Sequence, residues 1–98
     1  MGQTIEINGV RAIDRILVVD TDRSLAGQDG EAFNGVEAAG RSETFPGKLA
    51  HRVFEVDASV DHVFVMSNTV SIRRMGEWDD AAIDAVSDVI AEFFRFYD

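Results

Sequence analysis

Ninety-eight residues with 46% apolar content are enough for one domain, residues 1–98, with a core that needs no staples, and the absence of cysteine removes disulfides, zinc–thiolate sites, thiol nucleophiles and any iron–sulfur cluster held by the chain's own thiolates. Eighteen acidic residues against nine basic ones give a formal charge of −9, which argues against binding to nucleic acid or to an anionic membrane surface. No apolar run approaches the roughly 20 residues that cross a bilayer, and the opening MGQTIEING lacks the cationic and apolar segments of a signal peptide, so a cytoplasmic protein is expected.

Residues 3–8 (QTIEIN) alternate polar and apolar side chains, a period of two that predicts a short strand, closed by Asn8-Gly9 as a turn. Residues 13–20 (IDRILVVD) contain the β-branched run Ile16, Leu17, Val18, Val19 and predict a central strand. The stretch 21–44 is polar and glycine-rich, with Phe33 and Val36 as the anchors of a third, weak strand. Pro46-Gly47 then opens a segment in which Leu49, Val53 and Val56 recur at i, i+4, i+7, the mark of a short amphipathic helix with proline in its first turn. Residues 60–66 and 69–74 are two β-rich runs joined by Ser67-Asn68 and predict a hairpin, with Asn supplying the positive φ.

The last segment predicts an amphipathic helix capped by Asp79, with Trp78 placed to pack on Ile83 as a hydrophobic staple. Ile83, Val86, Ile90, Phe93 and Tyr97 form its apolar stripe, while Asp80, Asp84, Asp88 and Glu92 follow one another at steps of four on the opposite side. The element order is therefore ββ(β)αββα: an α+β domain in two layers, a mostly antiparallel sheet with two helices on one face.

The stretch 45–78, FPGKLAHRVFEVDASVDHVFVMSNTVSIRRMGEW, resembles the N-terminal domain of the Nfu/NifU-type iron–sulfur scaffold proteins. Leu49, Ala50 and Phe54 match that family's small helix after a proline, Val60, Val63 and Phe64 its first strand, Val70 and Ile72 its second, and Trp78 the residue opening its final helix. The resemblance spans about residues 45–96. The family's early Thr-Pro-Asn-Pro-Asn segment has no counterpart, Ser59 stands where the family has glycine, and no CxxC pair is present. What the resemblance implies is a stand-alone accessory domain without a cofactor, assisting iron–sulfur assembly or transfer by contact with other proteins.

No other chemistry emerges from the motifs. The segment DTDRSLAGQDGE imitates a calcium loop, with Asp20, Asp22, Ser24 and Glu31 at positions 1, 3, 5 and 12. Leu25 takes the place of its turn glycine, however, and a strand precedes it where a helix belongs. His51 and His62 have no partner at metal-ligand spacing, and no phosphate-binding or nucleophile-elbow motif is present, so neither an enzyme nor a bound metal is expected. Two features suit protein partners. The row Asp80, Asp84, Asp88 and Glu92 would meet a basic surface or simply face water. In the sheet, Ile16 and Val18 oppose Leu17 and Val19, and Phe64 and Met66 oppose Val63 and Val65, so both faces are apolar and the helices cover only one. The second face needs the 21–44 segment, a protein partner, or self-association, which would make the chain a weak homodimer and a structural domain rather than a monomer with an accessory role.

Overall fold

The computed structural model describes residues 5–93. Its elements are β1 (Ile7–Ile13), β2 (Ile16–Thr21), β3 (Glu31–Phe33), α1 (Val36–Arg41), α2 (Phe45–Val56), β4 (Val60–Met66), β5 (Thr69–Arg74) and α3 (Asp80–Glu92). The strands form one antiparallel sheet in the order β1-β2-β5-β4-β3, and the architecture is α+β. Register fixes which side chains share a face. Leu17, Ile72, Val63 and Phe33 lie in one row across the sheet, and Val19, Val70 and Val65 in the next. All seven are buried and join Leu49, Val53, Val86 and Ile90 in the core, so this is the face under the helices. The mechanism is the period-two alternation of a strand: once one residue of the row is turned toward the helices, its neighbours two positions away must follow.

The helices start where local chemistry permits. The Thr44 hydroxyl accepts from Gly47 N–H at 3.2 Å and Pro46 stands in the first turn of α2, where its missing N–H costs nothing. A Cβ on Gly47 would overlap the Ser42 side chain, so glycine permits the tight link between α1 and α2. In α3 the Asp79 carboxylate accepts from Ala82 N–H at 2.8 Å, the expected cap. Trp78 is buried through a different set of contacts from a staple alone: its indole N–H donates to Arg15 O at 2.9 Å, and the Arg74 guanidinium stacks 5.4 Å from its ring centre. Tyr97 lies outside the described residues, as do Gln3 and Thr4 of the expected first strand.

Three expectations about turns are corrected. Asn8-Gly9 is not a turn but a β-bulge inside β1, where Ile7 pairs with Thr21 and Gly9 with Asp20, leaving Asn8 as the extra residue. The turn falls instead on Asp14-Arg15, near the start of the expected second strand, with Asp14 at φ 56°. In the β4–β5 hairpin the positive φ belongs to Ser67, at 53°, and not to Asn68. Asn68 instead ties the hairpin to β2, its side-chain N–H donating to Thr21 O at 3.0 Å. The 21–44 stretch is organised. Leu25 and Ala26 donate backbone N–H groups to Ser67 O and Gly27 O accepts from Ser67 N–H, so the loop clasps the β4–β5 turn and inserts Leu25 into the core. Phe33 belongs to β3 as anticipated, but Val36 opens the short helix α1 and is exposed.

One corner ties the two layers together. Arg74 Nε donates to Asp57 Oδ2 at 3.0 Å, its guanidinium also reaches Glu77 O, and Asp57 Oδ1 accepts from Ser59 N–H at 2.9 Å. The Arg74 and Asp57 side chains are 17% and 12% exposed, so removing one partner strands a charge that is mostly out of water. Arg74→Ala should therefore lower unfolding stability by about 2–3 kcal/mol, read as a reduced urea midpoint at unchanged m-value.

Candidate functional site: the open face of the sheet

The side of the sheet away from the helices carries a row of Arg11, Val18, Ser71, Phe64 and Ala32, flanked by Ile13, Ile16, Arg73 and His62 toward the β1–β2 turn and by Asp20, Thr69 and Met66 at the other end. No described helix lies over it. Ile13 is 55% exposed, Ile16 42% and Met66 40%. The 21–44 segment does not cover this face: Phe33 turns into the helix-side core and Val36 faces outward from α1. Among the described residues the segment meets this face only along its β3 edge, where Ala32 pairs with Phe64, Asn34 bonds to His62, and the Gly30 backbone abuts the edge of the half-buried Phe64 ring. Contiguous apolar surface of this kind on one face is the usual mark of an interaction surface.

The face has relief. Ser71 is a small residue between Val18 and Phe64, and above it lies a depression of about 340 Å³ lined by Ile16, His62, Phe64, Ser71 and Arg73. Charged groups stand at its rim. Arg73 Nε donates to Asp61 Oδ1 at 2.7 Å in a pair whose side chains are 45% and 37% exposed, and His62 Nδ1 donates to Asn34 Oδ1 at 2.7 Å. A bulge between Val60 and His62 brings Asp61 to Arg73, a local feature no sequence pattern signals. Arg11 and Arg15 are exposed and make no ion pair among the described residues. The face thus carries the guanidinium groups of Arg11 and Arg73, with the Asp61 carboxylate beside Arg73 and the Asp20 carboxylate toward the other end, in a chain of charge −9.

The other sequence-derived candidates lie elsewhere. Asp80, Asp84 and Asp88 are exposed along α3 and Glu92 is half-buried at its end. They belong to the helix layer, so the acidic row and the pair Phe64 and Met66 occupy opposite sides of the molecule and do not form one site. The imitation calcium loop is dispersed. Asp20 accepts from Thr69, Glu31 accepts from the Thr44 hydroxyl, and Asp22 is bound to Arg23 at 2.9 Å, which holds its carboxyl below the ordinary aspartate range. Among the described residues no three His, Asp or Glu side chains are grouped to hold a metal ion. His51 faces Glu55 one helical turn away at 3.7 Å. Among those residues, too, no helix is long and apolar enough to cross a membrane.

Comparison with protein-family models and with curated proteins gives no match to this sequence. The fold is similar to that in the crystal structure of protein SAV1430 from Staphylococcus aureus, with a TM-score of 0.65 and 10% sequence identity, over 86% of this chain and 96% of SAV1430. At that identity the likeness concerns the arrangement of elements alone.

Two substitutions probe these surfaces. Gly30 has φ 73°, and a Cβ there would come 2.7 Å from Phe64 Cζ and 2.9 Å from Val65 O, an atom of the sheet backbone that has no room to yield. Gly30→Ala should cost about 2 kcal/mol and move the Phe64 ring proton resonances. In α3, Asp84 is four residues from both Asp80 and Asp88, so Asp84→Lys replaces two like-charge contacts by two attractive ones. Thermal unfolding should show a gain of about 0.5–1 kcal/mol that shrinks at high salt.

Proposed function

We propose that this chain is a non-catalytic protein-binding domain resembling the Nfu N-terminal domain, which assists iron–sulfur cluster assembly or transfer in the cytoplasm through contacts with other proteins. The observation that carries the reading is the open face: the helix side of β2, β5 and β4 is filled and buried, yet Ile13, Ile16 and Met66 stand in water on the other side. Leaving several large apolar side chains hydrated forgoes burial worth about 25 cal/mol per Å², and a partner that covers them recovers it.

The positions that carry the family resemblance are mostly core positions. Leu49, Ala50 and Phe54 lie on the buried side of α2, Val60 and Val63 in β4 and Val70 and Ile72 in β5 face the core, and Trp78 is buried just before α3. Among these, Phe64 alone turns to the open face. Those residues supply the scaffold of the domain, and Phe64 supplies part of its surface. With no cysteine in the sequence, the domain's role would lie in positioning proteins that carry the cluster ligands rather than in holding a cluster itself.

The test is affinity capture with the tagged full chain from cells grown under iron limitation. A cysteine desulfurase or a cysteine-bearing cluster carrier should be enriched over a mock capture and confirmed with purified proteins. Recovery of neither, in repeated captures with intact folded bait, would refute the iron–sulfur role.

A further inference from the structure

We propose that the open face is built for an acidic amphipathic helix of a partner protein, with a bulky apolar side chain seated over Ser71 between Ile16 and Phe64 and carboxylates reaching Arg73 and Arg11. The inference rests on the protein-binding reading and gives the partner its chemistry.

Shape comes first. Over the short Ser71 lies a depression of about 340 Å³ whose apolar walls are Phe64 and Ile16, with His62 and Arg73 completing its lining. A hollow with apolar walls and a small floor receives a large side chain, and a helix is the element that ordinarily covers such a face in layered α/β packing. Charge selects the helix. Arg73 engages Asp61 through Nε alone, so its terminal N–H groups have no acceptor among the described residues. A guanidinium with free terminal donors takes a carboxylate in two parallel hydrogen bonds. The existing exposed pair is weak competition, since such pairs contribute little in water. Arg11 lies on the same face beside Val18, and it is exposed and without an ion pair among the described residues.

The same charges argue against a second copy as the occupant. A two-fold pairing sets like patches face to face and brings Arg11 and Arg73 of both copies into the contact. The alternative, docking the acidic side of one copy's α3 on the next copy's sheet, is head-to-tail. That side offers Asp80, Asp84 and Asp88 with only Ala81 exposed among them, and no large side chain for the hollow.

Two fluorescent peptides of about four helical turns test this, with the same Leu and Phe stripe flanked by Glu in one and by Lys in the other. Binding to the full chain is read by anisotropy and mapped by backbone amide shifts. The Glu peptide should bind about tenfold tighter than the Lys peptide, with shifts centred on Ile16, Ser71 and Arg73. Arg73→Gln should weaken it about fivefold, and Ser71→Phe should fill the hollow and weaken it about tenfold or more, whereas Asp84→Lys on the opposite layer leaves it unchanged. Should Ser71→Phe fold poorly, Ser71→Leu replaces it. Equal binding of the two peptides, no binding of either, shifts elsewhere in the molecule, or a sedimenting dimer that Ser71→Phe dissolves would each overturn the proposal. A cluster-assembly protein captured equally by the wild type, Arg73→Gln and Ser71→Phe would leave the protein-binding reading intact while removing this one.

Discussion

The side chains of β2, β5 and β4 obey an alternation that the helices can satisfy on one side only. Leu17, Val19, Ile72, Val70, Val63 and Val65 have no exposed surface at all, which places the sheet's register beyond adjustment: a slip of one residue would carry this whole set into water. The register that buries them also assigns Ile16, Val18, Ser71, Arg73, His62 and Phe64 to a common surface. The open face is thus a by-product of the core's geometry as far as position is concerned. Its composition is not, because water-facing positions of a one-sided sheet ordinarily read as polar.

The helix layer is held to that sheet by polar ties at its margins. At one end α3 begins where Trp78 donates to Arg15 O, and at the other Ala91 O accepts from Ile5 N–H. Phe93 packs edge-on against Phe45, with ring centres 4.8 Å apart, and joins the end of α3 to the start of α2. The Arg74–Asp57 pair joins the exit of α2 to the last residue of β5. Arg73 and Arg74 are successive in sequence and do opposite things. Alternation turns Arg74 back into this half-buried corner and leaves Arg73 on the open face with donors to spare.

Strong periodicity made part of this legible in the sequence. The β4–β5 hairpin, α2 and α3 emerged because long amphipathic patterns and the start signals Pro46 and Asp79 act locally, whereas the Thr44 cap of α2 did not. What escaped was decided by distant pairing. Asn8-Gly9 has turn chemistry, yet pairing with Thr21 and Asp20 carries the chain straight through it as a bulge. Asp14, an ordinary aspartate in an apolar run, takes the turn because Ile13 and Ile16 pair across it. Six residues of α1 have too little pattern to separate them from a weak strand, and tertiary contacts, with Ala39 buried, settle the matter. Phe64 and Met66 were legible as residues of the second face. Ser71 and Arg73 were not, because a depression and a guanidinium with spare donors exist only once three strands lie side by side.

The placement of charge has a consequence for how a partner would arrive. Asp80, Asp84 and Asp88 lie on the helix side, whereas Arg11 and Arg73 stand on the opposite face together with Asp61 and Asp20, so the exposed side of α3 is acidic while the open face carries both signs. An acidic segment is repelled by the molecule at long range and attracted only near the arginines, at separations comparable to the Debye length of about 8 Å in physiological salt. Such a field does little to accelerate encounter. What it does is penalise every wrong approach, because an acidic helix meeting the α3 side faces like charge and no apolar hollow. Selectivity on this surface therefore comes as much from the rejected side as from the accepting one, and the acidic row contributes to it without touching the partner.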